Sequence, residues 1–228
     1  MDLNKRCLSS IALKWVVAVT GLIMVAFVAF HLTNNLRIYL GQEIYNRDGF
    51  AWKTPVVITI ARPVLLISFV LHIVATVAVT RRNRQSGPQY AAGYRFHTAT
   101  WWGRFMVVSG VITGLFVLTH VIHAKVGWID ADLHTWIDPW GRKDVYNMVI
   151  LGLRTPWLGA AYALGLSGLL FHMGHGVHSA LASLSLSRAR LARRLQIGLW
   201  ILLGAIYAGY ISIPIAAWVG WLEPTLSR

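Results

Sequence analysis

Five stretches of this chain are each long and apolar enough to cross a bilayer. They run approximately over 11–36, 56–80, 105–124, 157–184 and 197–222. A helical span needs roughly 20 apolar residues, and backbone groups in lipid must find hydrogen-bond partners within their own segment. The composition agrees, with 56% hydrophobic and only 13% charged residues. We therefore predict an all-α membrane protein, a single domain over 1–228 built as a bundle of five transmembrane helices. The first segment is too long for a signal-peptide core, so we expect it to be retained.

The distribution of charge predicts the orientation of these helices. The tail before the first segment and the second and fourth connections are basic, and only Asp2 opposes that charge. Their basic residues are Lys5, Arg6, Lys14, Arg81, Arg82, Arg84, Arg95, Arg104, Arg188, Arg190, Arg193 and Arg194. The other acidic residues fall in the remaining connections: Glu43, Asp48, Asp130, Asp132, Asp138, Asp144 and Glu223. The positive-inside rule then predicts a cytoplasmic N-terminus and an outer C-terminus.

Two classes of protein are disfavoured by the same composition. The net charge of +13 resembles that of a nucleic-acid-binding protein. Because most of the excess positive charge lies on one side of the predicted membrane, topology and anionic lipid explain it better, and we expect no nucleic-acid partner. The one cysteine, Cys7, excludes an intrachain disulfide, a thiolate iron–sulphur site and covalent c-type haem attachment. A redox cofactor would need other ligands.

Most of the nine histidines lie inside the predicted spans, where polar side chains are costly and usually functional. His31 and His120 fall at nearly the same level, near the outer ends of the first and third segments. His72 lies in the inner half of the second segment, and three further histidines lie toward the inner end of the fourth. The pattern is two layers, each with histidines from two helices, which is typical of two bis-histidine haems b stacked across a membrane.

Small residues beside the histidines favour a flat macrocycle between helices. Gly21 and Gly110 each precede a histidine by the same interval, and Gly174 and Gly176 flank His175. Zinc is less favoured because no carboxylate or thiolate joins the clusters. Spacing alone does not choose among His172, His175 and His178, and depth leaves His123 open as an alternative to His120.

Several motifs resemble the cytochrome b subunit family of succinate dehydrogenase and fumarate reductase. In the first segment they are Ser10, Lys14, Ala18, Thr20–Gly21, Phe27, His31–Leu32 and Asn35–Leu36. The second and third segments add Arg62, Phe69, His72–Ile73, Ser109–Gly110, Phe116 and His120. The run from Asp144 to Pro156 resembles the family's amphipathic stretch, and His175–Gly176 with Ser179 resembles its His-Gly-x-x-Ser motif. The resemblance covers nearly the whole chain, in order. Departures are Val121, where Leu commonly follows the ligand, and the extra His123, His172 and His178.

The resemblance implies a function and a set of ligands. The outer, distal haem would be held by His31 and His120, and the inner, proximal haem by His72 and His175. The chain would anchor a flavoprotein subunit and an iron–sulphur subunit at the cytoplasmic face. It would pass electrons between the latter and a quinone, by analogy menaquinone. The setting would be a bacterial or archaeal cytoplasmic membrane, with a higher oligomer possible. Cations that could meet the haem propionates are Lys14, Arg81 and Arg104 at the inner end, and Arg37 and Arg154 at the outer end.

Other functions remain open at the level of sequence. One is a di-haem, quinol-oxidising subunit of another respiratory enzyme, such as a nitrate reductase or formate dehydrogenase. Another is a haem-free transporter or assembly protein whose histidines line a polar path. For quinone, we expect a pocket near the outer connection between Lys125 and Pro156, where His123 could hydrogen-bond a quinone carbonyl. Its aromatic residues also suit an ordinary interfacial belt: Trp128, Trp136, Trp140 and Tyr146.

Overall fold

The computed structural model describes residues 9–51, 54–90, 101–183 and 189–225, and this part of the chain is helical almost throughout. The α-helices are α1 (Ser10–Asn35), α2 (Gln42–Ala51), α3 (Arg62–Tyr90), α4 (Trp101–Val121), α5 (Val145–Arg154), α6 (Pro156–Ser183) and α7 (Ala189–Trp218). Short 3₁₀ turns cover Leu36–Leu40 and Ala131–Thr135, and π-helical turns cover Val57–Ala61 and Ile122–Val126. Within the described residues, the one β-type pairing is an isolated bridge between Ile137 and Lys143.

Four of the helical spans are long and apolar enough to cross a membrane, and a bent pair of helices adds a fifth. The four are Ser10–Leu40, Val57–Asn83, Phe105–Val126 and Gln196–Trp218. The fifth joins α5 to α6 with a bend of 95°. Thr155 makes this bend, because a residue before proline is pushed out of the helical region, and its ψ is 118°. The prediction of an all-helical fold is therefore confirmed for the described residues, with four or five helices long and apolar enough to span a membrane.

The long helices pack around α6, which contacts α1, α4 and α7, while α3 packs on α1. Glycines on α6 make this closeness possible. A Cβ at Gly168 would lie 2.5 Å from Ile112 of α4, and one at Gly165 would overlap the Phe116 ring of the same helix. Large side chains thus fill the space that these glycines leave open, which is a common way for membrane helices to approach each other.

A cap of short helices covers one end of the bundle, and Asn46 on α2 connects its parts. This side chain is 2% exposed. Its amide nitrogen donates to Asp138 Oδ2 at 3.3 Å and to Asp144 Oδ1 at 3.1 Å, while its oxygen accepts from the Tyr146 backbone at 2.9 Å. Asp144 also caps α5 by accepting from the Asn147 backbone at 3.1 Å. We call the end with α2 and α5 the outer end and the opposite end the inner end.

A second carboxylate in the cap, Asp138, is held in its charged form by hydrogen bonds. Burial by itself would raise the pKa of this carboxyl above its usual 3.8. Hydrogen bonds from the backbone and guanidinium of Arg142, from the Asn46 amide and from the Trp140 backbone outweigh that effect, so the pKa is lowered. The acidic connections predicted from sequence therefore include a folded cap built around charged aspartates.

Two helices extend past the apolar segments that predicted them. Helix α3 continues to Tyr90 and α7 begins at Ala189, well outside 56–80 and 197–222. Both extensions are rich in polar and basic residues, which are good helix formers but carry no hydropathy signal. Parts of the basic rim lie outside the described structure. Lys5, Arg6, Cys7, Arg95 and Arg188 fall outside the described residues, as do the side chains of Arg84, Arg104, Arg190 and Arg193.

Candidate haem-binding site

The structure brings the rings of His31 on α1 and His120 on α4 together, as their matched depth predicts. Their centroids lie 5.9 Å apart and the ring planes cross at 71°. Aromatic neighbours one turn earlier on each helix hold both rings. Phe27 stacks on His31 with centroids 5.3 Å apart, and Phe116 lies 6.1 Å from His120. We call His31 and His120 the outer pair.

A second pair forms closer to the inner end, and its membership differs from the prediction. His72 on α3 faces His172 on α6, with ring centroids 6.2 Å apart and planes at 78°. The family resemblance implies that His72 pairs with His175, which instead lines a small cavity of about 20 Å³ with Phe105 and Met106. His178 is exposed. The difference arises because the step of three residues from His172 to His175 turns the helix by about 300°, which moves the second ring off the line to His72. We call His72 and His172 the inner pair.

Each member of the inner pair is held by a further helix, α1 for His72 and α4 for His172. Nδ1 of His72 lies 3.1 Å from the Val17 carbonyl oxygen and 3.2 Å from the Thr20 hydroxyl. A carbonyl only accepts, so Nδ1 carries the proton and Nε2 keeps its lone pair. Nδ1 of His172 lies 3.4 Å from the hydroxyl of Ser109, which itself donates to the Met106 carbonyl at 3.3 Å and so accepts from the ring. Fixing the proton on one ring nitrogen in this way is how proteins prepare the other for a metal.

These contacts extend the equal glycine-to-histidine interval of the first and third segments to a longer internal repeat. The same residue types recur with the same spacing on α1 and α4. The two sets are Thr20, Gly21, Phe27 and His31, and Ser109, Gly110, Phe116 and His120. A Cβ at Gly21 would lie 3.2 Å from Cε1 of His72, and one at Gly110 would lie 3.2 Å from Cε1 of His172. The repeat makes His172 the counterpart of His72. Comparing the first and third segments with each other could have found it.

The donors suit a haem better than an ion held only by protein. Each pair offers two imidazole nitrogens, and the described residues contain no group of three or more His, Cys, Asp or Glu that could hold a metal ion. Structural and catalytic zinc sites need three or four protein ligands, whereas a haem iron takes four from the macrocycle and two from protein. Two imidazoles sharing one metal through bonds of about 2 Å have ring centroids roughly 6 to 6.5 Å apart. Both observed separations are close to that value.

The two pairs lie at different depths. Gly21 is beside His72, and the ten residues from Gly21 to His31 on the same helix correspond to roughly 15 Å along the axis. The hydrocarbon core of a bilayer is about 30 Å thick, so two pairs separated by this distance would lie in different halves of it. The layered arrangement read from sequence depth is thus present in the packing of the described helices.

One outer ligand candidate is connected to a buried network. The Tyr162 hydroxyl on α6 lies 3.1 Å from Nδ1 of His120 and 2.8 Å from Nδ1 of His123. His123 is 1% exposed, and a Cβ at Gly152 would lie 2.6 Å from its Nε2. So close an approach requires glycine at 152. Tyr162 is not among the residues predicted from the sequence, although a tyrosine inside an apolar segment is itself a polar group among apolar residues.

The cations proposed for haem propionates are placed in different ways. At the outer end, Arg37 pairs with Asp48. Arg154 donates from Nε to the Ala217 carbonyl and from a terminal nitrogen to the Leu222 carbonyl, both at 3.0 Å. These two arginines therefore stabilise the cap and the end of α7. At the inner end, Lys14 and Arg81 are exposed, while the Arg104 side chain lies outside the described part.

No protein-family model matches the chain, and neither a curated protein nor a solved structure does. The functional argument therefore rests on the histidine geometry and on the motifs quoted above.

Proposed function

We propose that this chain is the membrane anchor and di-haem cytochrome b subunit of a succinate dehydrogenase or fumarate reductase. It would pass electrons between an iron–sulphur subunit and a quinone. The observation that carries the proposal is the presence of two histidine pairs at two depths, each made by two different helices. A bundle that only conducts protons or a small solute has no need for rings opposed in pairs at this separation.

The proposed ligands are the four histidines whose rings are paired, and they differ at one position from the set that the family resemblance implies. The outer haem would be held by His31 and His120, and the inner haem by His72 and His172, with His172 replacing His175. Haem b with two imidazole ligands supplies reversible one-electron transfer. The chain's contribution is to hold each Nε2 toward its partner. In the inner pair, the Val17 carbonyl of α1 and the Ser109 hydroxyl of α4 hold the Nδ1 atoms, which leaves each Nε2 free to bind.

The proposed partners follow from charge and family resemblance. Basic residues concentrate at the inner end, and Lys14 and Arg81 are exposed there, where anionic lipid, propionates or the flavoprotein and iron–sulphur subunits would meet them. By the positive-inside rule, this end faces the cytoplasm. The seven acidic residues of the other connections lie at the opposite end. A cytoplasmic headpiece would therefore dock beside the inner pair.

Quinone would bind near the outer end, but at a different place from the one expected from the sequence. His123 is too deeply buried to meet a quinone carbonyl directly. An open groove of about 700 Å³ lies at the same end, lined by Arg154, Pro156, Trp218, Val219 and Gly220. Its volume is within the range of small-molecule sites, and a tryptophan at the interface suits a quinone ring. The proposed pocket therefore moves from His123 to this groove.

The proposal is tested by purifying an affinity-tagged form of the chain from its native membrane under mild detergent. We expect a flavoprotein with succinate dehydrogenase activity and an iron–sulphur protein to co-purify, together with extractable quinone. Co-purification of a molybdenum-containing nitrate reductase or formate dehydrogenase instead would assign the chain to another respiratory complex. A tag on an unrelated five-span protein from the same membrane controls for adventitious capture.

A further inference from the structure

The outer and inner pairs differ in what holds their Nδ1 protons. His72 donates to the Val17 carbonyl, and His172 donates to the Ser109 hydroxyl, whose own proton goes to the Met106 carbonyl. His120 instead contacts the Tyr162 hydroxyl at 3.1 Å, and that hydroxyl can both accept and donate. His120 is therefore held by a side chain from α6.

The protons in this network have only one consistent order if His120 binds a metal through Nε2. Nδ1 of His120 then carries its proton and donates it to the Tyr162 oxygen. The Tyr162 hydroxyl must donate onward, and Nδ1 of His123 lies 2.8 Å away to accept. His123 consequently carries its own proton on Nε2, which is buried against Gly152 and has no hydrogen-bond partner in the described structure.

The network continues toward the outer surface. Nε2 of His134 lies 2.6 Å from the His123 carbonyl oxygen, and Lys143 Nζ lies 2.7 Å from Nδ1 of His134. His123 sits in the π-helical turn Ile122–Val126, a local irregularity that is frequent at functional sites. Tyr162 therefore contacts the buried ring of His123, and His134 of the outer connection contacts the backbone carbonyl of the same residue.

We propose that Tyr162 is a positioning residue that acts through His120 on the outer haem, and that His123 fixes the direction of its hydrogen bond. The inference rests on the proposed function. A hydrogen bond accepted from Nδ1–H increases the basicity of the ligand at Nε2. Greater electron donation stabilises the oxidised iron, so the tyrosine lowers the reduction potential of the outer haem relative to a chain without the hydroxyl.

The test is a redox titration of both haems in the purified complex, with Tyr162→Phe as the main variant. We expect two haems per chain, an unchanged inner potential and a higher outer potential. The expected shift is at least a threefold change in the oxidised-to-reduced ratio at fixed potential, or about 30 mV for one electron. The outer haem is identified as the one lost in His120→Ala. Tyr207→Phe is the matched control, because that hydroxyl also contacts α6, at Ser167.

A second pair of variants leaves Tyr162 in place and guards against misfolding. His123→Leu removes the acceptor of the tyrosine proton, whereas His123→Gln keeps an oxygen that can accept it. We expect the first to shift the outer potential and the second to restore it. Unchanged potentials in Tyr162→Phe, equal effects of Leu and Gln at position 123, or an equal shift in Tyr207→Phe would each overturn the inference. A wild-type complex without haem would instead overturn the proposed function.

Discussion

Replacing His172 and His175 one at a time separates the structure from the family motif. The ring of His172 lies 6.2 Å from that of His72, and its Nδ1 is already bonded to α4. A haem that loses one of its two protein ligands in a hydrophobic site is not retained as a low-spin species. We therefore expect His172→Ala to reduce the haem content from about two to about one per chain, and His175→Ala to leave about two.

The assay is a pyridine haemochrome measurement against protein mass, with a reduced-minus-oxidised spectrum to show which α-band is lost. His178→Ala serves as a control, because that side chain is exposed near the same end of α6. If His175→Ala halves the haem and His172→Ala is silent, the rotation of α6 deduced from the structure is wrong and the His-Gly-x-x-Ser motif gives the ligand after all.

Three further outcomes are expected from packing, charge and topology. Gly165→Ala should lower the free energy of unfolding of the detergent-solubilised chain by about 1–3 kcal/mol, because the new Cβ would overlap the Phe116 ring. Gly204→Ala, whose Cβ would meet nothing within 4 Å, should be neutral. Because the pKa of Asp138 is lower in the folded cap than its ordinary value of 3.8, the charged carboxylate stabilises the cap at pH values above 3.8. This stabilisation should be lost as the pH falls through the lowered pKa of the folded state. Hydrogen exchange of the cap should show that loss at higher pH in Asn46→Ala, and an identical profile would contradict the assignment. Uncoupler should slow succinate oxidation in sealed vesicles. An inside-negative potential favours the movement of electrons to an outer quinone by about 2.3 kcal/mol per charge per 100 mV, and uncoupler removes that potential. An unchanged rate would place the quinone site nearer the inner end.

The sequence predicted what depends on hydropathy and depth. The apolar segments became the spans, and the outer pair came together because His31 and His120 lie at matching levels of parallel helices. Hydropathy says nothing about amphipathic or polar helices, so α2 and the extensions of α3 and α7 were missed. The amphipathic stretch expected before the fourth segment is present as α5.

What the sequence could not predict was the rotation of a helix about its own axis. His172 and His175 lie less than one turn apart on α6, so depth does not distinguish them, and the choice depends on glycines that let Phe116 and Ile112 dock. Similarly, Arg154 looked free to meet a propionate until its bonds to the end of α7 were known. Tyr162 acquires its role only through the packing of α4 on α6.

The central claim is tested most directly by counting haems and reading their spin state in the purified wild-type chain. Pyridine haemochrome assay against protein mass should give about two haems b per chain. Electron paramagnetic resonance of the oxidised protein should show two low-spin ferric signals, as expected for two bis-histidine sites. A ratio near one, a dominant high-spin signal, or no haem at all would contradict the reading of His31, His120, His72 and His172 as two ligand pairs.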